Sequence, residues 1–267
     1  MLRTRELRRC VPVVATAAVM AFVLAAPATP AALSSSGLAV QRKKEIAMEL
    51  VSSAENSSLN WRGQYGYIQD IHDGRGYTAG IIGFCSGTGD MLVVVRMFTR
   101  LRPHNPLVRF LPALRRVNGT PSHRGLGPKF VAAWKRAAND PALQDAQRTE
   151  RDLEYFNPAV ALAKSDGLRA LGQFAYYDAS VVHGFDGLQA IRARAITHAR
   201  LPSSGGDEVA YLNAFLDERD VEMRKEAAHS DLSRIESEQR IFLAEGNLDL
   251  SPPLRWSTYG DQYVILR

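Results

Sequence analysis

The run "SDGLRALGQFAYYDASVVHG", Ser165 to Gly184, decides the fold. Wound as a helix it is apolar on nearly every side, which suits a helix wrapped by protein rather than one lying on a surface. A central buried helix demands others to cover it. Its odd member is Asp178, because a carboxylate in such surroundings needs a cationic partner to offset the cost of leaving water.

Outward from this centre the chain stays mostly helical. In "RKKEIAMELVSSAE", Ile46, Ala47, Leu50, Val51 and Ala54 fall on one apolar face, and Glu55 stands near the far end. "DMLVVVRMFTRL" opens with Asp90 as an acidic cap, Asp140-Pro141 and Asn157-Pro158 each place a cap before proline, and a long amphipathic run starts at Asp207. "WRGQYGYIQDI" shifts to strand character, and the turn "HDGRG" joins it to "YTAGIIGF" as a hairpin. The tail "LDLSPPLRWSTYGDQYVILR" reads as irregular, its prolines ending the helical run. The expected fold class is therefore mainly α (α+β), with one small β element and a lobe boundary within "NGTPSHRGLGP".

The first residues bound the compartment. Arg3, Arg5, Arg8 and Arg9 precede the apolar "VPVVATAAVMAFVLAA" and the small-residue site Ala26-Pro27-Ala28, the pattern of a secretory signal over residues 1–28. The apolar run is short for a membrane span. Losing four arginines and one glutamate takes the net charge from +5 to about +2. No run of Lys and Arg marks a nucleic-acid stripe. Cys10 leaves with the leader, so Cys85 stands alone among Ile81, Ile82 and Phe84 and reads as a buried structural thiol. The six histidines are dispersed, with no HExxH or CxxC spacing, so no metal and no cofactor are expected.

The stretch "DIHDGRGYTAGIIGFCSGTGD", Asp70 to Asp90, holds six glycines. The expectation is that bare backbone lets something large lie against Asp73 and Thr78. A phosphate loop is excluded, since no Gly-Lys-Ser/Thr follows. Glu55 at a helix end and Asp73 at a hairpin turn sit on separate rigid elements that can face each other across a cleft. Hydrolysis of a glycosidic bond needs such a pair, one acid for the leaving oxygen and one carboxylate for water. Glu55, leading into Leu59 and Trp61, is expected to be partly desolvated, and Asp73, beside Arg75, to stay ionised. From spacing alone a solvated helix end and an ordinary Asp-Gly turn are the commoner readings.

Longer runs narrow the choice. "KKEIAMELVSSAENSSLNW", "YIQDIHDGRGYTAGIIGFCSGTGDM", "DGLRALGQFAYYDA" and "EQRIFLAEGNLDLSPPLRWSTYGD" closely resemble the bacterial chitosanase family of inverting glycoside hydrolases. The resemblance spans essentially the whole chain after the leader. It implies a lysozyme-like, two-lobed fold over residues 29–267, with the small β element lining a central cleft. It implies Glu55 as general acid, Asp73 as general base and Thr78 as holder of the attacking water, with carboxyls roughly 6.5–9.5 Å apart. It implies Asp90 as the leading partner of the substrate's ammonium groups, and Asn56, Tyr67, Arg75, Tyr155, His183 and Glu226 as further cleft residues. Arg219 and Arg234 are implied as partners of Asp178, a charge network reaching the catalytic carboxylates.

The implied enzyme is a secreted, monomeric endo-chitosanase acting on chitosan and glucosamine oligosaccharides, without nucleic-acid partners and without a membrane anchor once the leader is removed. A hydrolase of another amino-sugar polymer and a non-catalytic polysaccharide-binding protein are the alternatives. The sequence departs from the family in two places. The chain after His183, "GFDGLQAI", is short and lacks the usual Gly/Pro-rich stretch, and Ser230 stands where relatives carry an acid.

Overall fold

The central run forms the first leg of helix α7 (Ala170–His198), and every residue from Ala170 to Ser180 is buried. Gly184, at φ 71° and ψ 170°, breaks the helix, and the second leg buries only the stripe Leu188, Ile191 and Ala195. The structure, a computed structural model, describes residues 37–225 and 231–267, which fall within one compact unit. The leader, Glu226, His229 and Ser230 lie outside the described residues.

Helix α8 (Glu208–Met223) covers one side of α7. Its N-terminus is capped by Asp207, whose carboxylate accepts from the Ala210 amide at 2.8 Å. The two helices meet through Tyr176 and Phe215, with ring centroids 4.7 Å apart. Tyr176 also donates to Asp166 at 2.8 Å and meets the Tyr211 hydroxyl, while Arg192 grips both Asp166 oxygens at 2.6 Å. A charge-assisted fork of this kind satisfies the buried carboxylate.

Helix α1 (Gln41–Asn56) buries the whole face expected of it, Ile46, Ala47, Leu50, Val51 and Ala54, together with Met48, Ser52 and Ser53. Ser57, in left-handed backbone at φ 47°, ends the helix just beyond Glu55. The next segment corrects the strand reading: Trp61–Gly66 is a 3-10 helix, and only Ile68–Asp70 is strand. Trp61 and Tyr65 are the residues that this helix buries. A three-stranded antiparallel sheet follows, β1 (Ile68–Asp70), β2 (Tyr77–Ala79) and β3 (Phe84–Cys85), with Asp70 opposite Tyr77 and Thr78 opposite Cys85. Gln147 holds the sheet to the helices, accepting from the Ile81 amide at 3.2 Å and donating to the Tyr65 carbonyl at 3.1 Å.

Helix α2 (Asp90–Leu101) starts one residue earlier than a capping Asp90 would require; Gly89 takes the cap position and Asp90 is the first helical residue. Helices α3 (Leu111–Val117), α4 (Pro128–Ala137) and α5 (Pro141–Glu150) complete the bundle, α5 being capped by Asp140 as expected. Asn157 is not a cap. The chain runs from α5 through a π-helical turn, Arg151–Phe156, straight into α6 (Asn157–Ser165). Pro158 explains the widening, because its ring would strike the carbonyl four residues back in an unbroken α-helix. The stretch read as a lobe boundary packs against the end of the sheet. The Gly119 amide donates to the Gly87 carbonyl at 2.7 Å, and the rings of His123 and Tyr77 lie 4.3 Å apart.

A second π turn, Ile235–Gln239, leads into α9 (Arg240–Ala244). The tail is not irregular: β4 (Leu254–Thr258) pairs antiparallel with β5 (Asp261–Ile265). Tyr259 and Gly260, both at positive φ, make a two-residue turn whose twist suits a hairpin. Leu254, Trp256 and Thr258 alternate inward, and Trp256 donates to the Ser53 hydroxyl of α1 at 3.0 Å. Among the described residues no helix is long and apolar enough to cross a membrane.

Candidate active site

Glu55 comes from the last turn of α1 and Asp73 from the loop between β1 and β2. Both line a cavity of about 320 Å³ together with Arg75, Thr78, Ile82, Gly83, Val181, Arg234 and Tyr259. Asp73 is fixed from its own loop. Its Oδ1 accepts from the Arg75 amide at 2.9 Å and its Oδ2 from Arg75 Nε at 2.7 Å, a local ring that sets the carboxylate's direction. Thr78, on β2, is 8 % exposed, and its hydroxyl lies 3.5 Å from the Cys85 sulfur across the strand pair. Cys85 is free and buried, and burial pushes its thiol up to about 11.

Beneath Glu55 lies the charge network. Arg234 donates from Nη1 to Glu55 Oε1 at 2.9 Å and from Nη2 to Asp178 Oδ1 at 2.6 Å. Asp178 Oδ2 accepts from Arg219 at 2.6 Å and from Gln239 at 2.8 Å. Burial would raise the Asp178 carboxyl, but the two guanidiniums outweigh it and hold it at about 2. One helix, one π turn and the last turn of α1 thus meet at a single guanidinium. Glu55 keeps its other oxygen, Oε2, toward Gly83, where an added Cβ would stand 3.6 Å from that oxygen and 3.1 Å from Thr78 Cγ2. Gly83 also sits at φ +76°, so a side chain there would be strained as well as obstructive.

A second cavity, of about 380 Å³, shares Arg75, Ile82, Gly83, Val181 and Val182 with the first and adds Asp90, Glu154, Tyr155, His183 and Gly184. Asp90 Oδ1 accepts from the Cys85 and Met91 amides and the Thr88 hydroxyl, all within 2.9 Å, and Oδ2 accepts from Tyr155 at 3.0 Å. Burial nevertheless raises its carboxyl above the usual range, so an approaching cation would find a carboxylate short of positive charge.

Sequence reasoning missed two acids here. Glu154 and the buried Glu150 lie four residues apart on the α5-to-π run, a spacing that could have flagged them. Burial, then Glu154 and Asp90, push Glu150 up to about 7. Because the folded value lies above the unfolded one, Glu150 costs stability increasingly as pH rises from about 4.5 toward 7. Glu150→Gln should therefore raise stability above pH 7 by up to about 3 kcal/mol and leave it unchanged near pH 4, as thermal melts at the two pH values will show.

The remaining expected residues are placed as follows. Tyr67 lies outside both cavity linings, half-buried, with its hydroxyl raised by burial and then by the charge of Glu55. Asn56 closes α1 with its side-chain nitrogen buried and unbonded. Glu226 is outside the described residues. Tyr259, from the missed hairpin turn, joins Glu55 in the first cavity, its amide donating to the Ser233 hydroxyl at 2.9 Å. Gly83 keeps the cavity clear as expected, but not every glycine of the run does so. At Gly87 an added Cβ would stand 2.6 Å from the Thr120 carbonyl and 2.8 Å from that of Arg75, so bareness there lets the chain pack on itself. Among the described residues no cluster of His, Cys, Asp and Glu could hold a metal ion.

Comparison with known proteins gives one answer. The model of glycosyl hydrolase family 46 matches residues 49–254. A chitosanase of Streptomyces sp. (strain N174) is 61 % identical over 245 residues, 89 % of this chain and 87 % of that protein. A chitosanase of Bacillus subtilis (strain 168) is 35 % identical over 84 % of this chain and 85 % of that protein. Among solved structures, a chitosanase co-crystallised with substrate is 56 % identical, with a TM-score of 0.84 over 86 % of this chain and 98 % of its own. The Gynuella sunshinyii chitosanase in complex with chitotetraose is 36 % identical, with a TM-score of 0.79 over 84 % and 98 %.

Proposed function

The chain belongs to glycosyl hydrolase family 46, and from that premise we propose that it is a secreted endo-chitosanase that cleaves β-1,4 links between glucosamine units with inversion at the anomeric carbon. The observation that carries the reading is the single cavity in which Glu55, Asp73 and Thr78 meet, brought from a helix end, a loop and a strand.

In this reading Glu55 gives its proton to the glycosidic oxygen as the bond to the anomeric carbon breaks. Its Oε1 is held by Arg234, so Oε2 is the oxygen that faces the sugar. Asp73, aimed by Arg75, takes a proton from the water that attacks the opposite face, and the Thr78 hydroxyl holds that water. The carboxylates of the second cavity suit a polymer that carries an ammonium on each sugar, with Asp90 and Glu154 supplying the charge and Tyr155 the orientation. The leader directs export, and the enzyme acts as a monomer.

The test is proton NMR of the protein acting on glucosamine hexamer, following the anomeric signals of new reducing ends. The α-anomer is expected first. Early β-anomer would mean that Asp73 does not activate water, and absence of new ends would leave binding without turnover.

A further inference from the structure

A second buried carboxyl bears on the Arg234 guanidinium that holds Glu55. Glu238, in the turn Ile235–Gln239, is 1 % exposed, and its Oε2 has no hydrogen-bond partner. The charges acting on it are Asp178 from α7, Arg219 from α8 and Arg234 from its own segment; Glu55 and Tyr259 act on Arg234 in turn. Its neighbour Gln239 donates to both Asp178 and the Arg234 carbonyl, so this turn is knitted into the network.

Counting charge shows what Glu238 is for. Arg219 and Arg234 bring two positive charges into dry protein, and arginine does not give up its proton there. Asp178 and an ionised Glu55 balance them and leave no cation for Glu238, which burial and then Asp178 push well above the usual carboxylate range. A general acid, however, must hold a proton when substrate arrives. With Glu55 and Glu238 both neutral, the buried set carries one uncompensated positive charge, a costly state. Ionising Glu238 restores neutrality.

We propose that Glu238 is a positioning residue for the catalytic proton: it and Glu55 hold one proton between them across Arg234, and Glu238 becomes the balancing carboxylate whenever Glu55 is loaded as the acid. The proton that Glu55 takes up comes from cleft water, and the one that Glu238 gives up returns to solvent, so the buried charge stays at zero. This rests on Glu55 being the general acid.

The test is the pH profile of kcat/KM on glucosamine hexamer for Glu238→Gln and, as a second uncharged replacement, Glu238→Leu. Without the balancing carboxylate Glu55 gives up its proton more readily, so the alkaline limb should move down by about one pH unit, the scale at which two sites titrate as a pair. KM should not change. Melting temperature serves as the second readout. Glu238 has a folded value above its unfolded one, so its favourable contribution is complete below about pH 4 and is lost as pH rises. Glu238→Gln should therefore be at least as stable as the parent at neutral pH. An alkaline limb at the parent position in both variants overturns the proposal, as does a lowered melting temperature of Glu238→Gln at pH 7, which would make Glu238 a structural proton donor. Activity in Glu55→Gln would instead bring down the acid assignment itself.

Discussion

Glu55→Gln should lower kcat by about 10³-fold, within the range that general acid catalysis supplies, while the protein melts almost where the parent does. The amide keeps the length of the side chain, and its oxygen still accepts from Arg234, so the anchor at 2.9 Å survives. What is lost is the only proton that the reading places at the leaving oxygen. Chitosan's leaving group is a sugar alkoxide, a poor one without protonation, and water in the cleft is a far weaker acid than a carboxyl. The measurement is reducing-end release from glucosamine hexamer at saturating substrate. A variant retaining more than a tenth of parental kcat would remove Glu55 from the acid role.

Asp178→Asn should cost about 3–5 kcal/mol, the usual penalty for taking one partner from a buried ion pair. For a domain of this size that is a fall in melting temperature of roughly 10 °C. Two guanidiniums would be left facing an amide that can accept but carries no charge, and Arg219 is completely buried. Activity should fall with stability, at least tenfold in kcat, because one amide oxygen replaces the two that anchor Arg219 and Arg234, and the direction of Arg234 Nη1 toward Glu55 is no longer fixed. The pH dependence identifies the cause. Asp178 is held at about 2, below its unfolded value, so its stabilisation is complete above about pH 4 and is lost as pH falls toward 2. The parent should therefore lose stability through that window more steeply than Asp178→Asn. Parallel melting curves for the two would show that the carboxylate carries no net charge-pair energy.

The two predictions fall on residues of different legibility. Asp178 could be read from the sequence as a problem, because an acid inside an all-round apolar helix must be solved by the fold. Its solution could not be read from spacing, since the arginines arrive from positions 41 and 56 residues away. The α1 face was legible because a period of 3.6 records burial directly. The aromatic run at Trp61 misled because two large residues four apart suit a helical side as well as a strand. The final hairpin was hidden by the prolines before it, although Tyr259-Gly260 between alternating residues is a turn signal in its own right. Both π turns were invisible. A single extra residue in a helical turn leaves the apolar pattern nearly intact, yet these turns carry Tyr155 to Asp90 and place Glu238 and Gln239 in the network.

The distances along the chain also set an order in time. Glu55 is joined to Arg234 across 179 positions, and Ser53, two residues before it, to Trp256 across 203. A ribosome adding roughly 5–20 residues per second makes Glu55 some 10 to 40 s before the arginine that holds it. The first helix is therefore made long before the guanidinium that holds Glu55, and a chain cut short anywhere before Arg234 carries Glu55 and Asp73 without that anchor. In the proposed mechanism, turnover has to wait until Arg234 has been made.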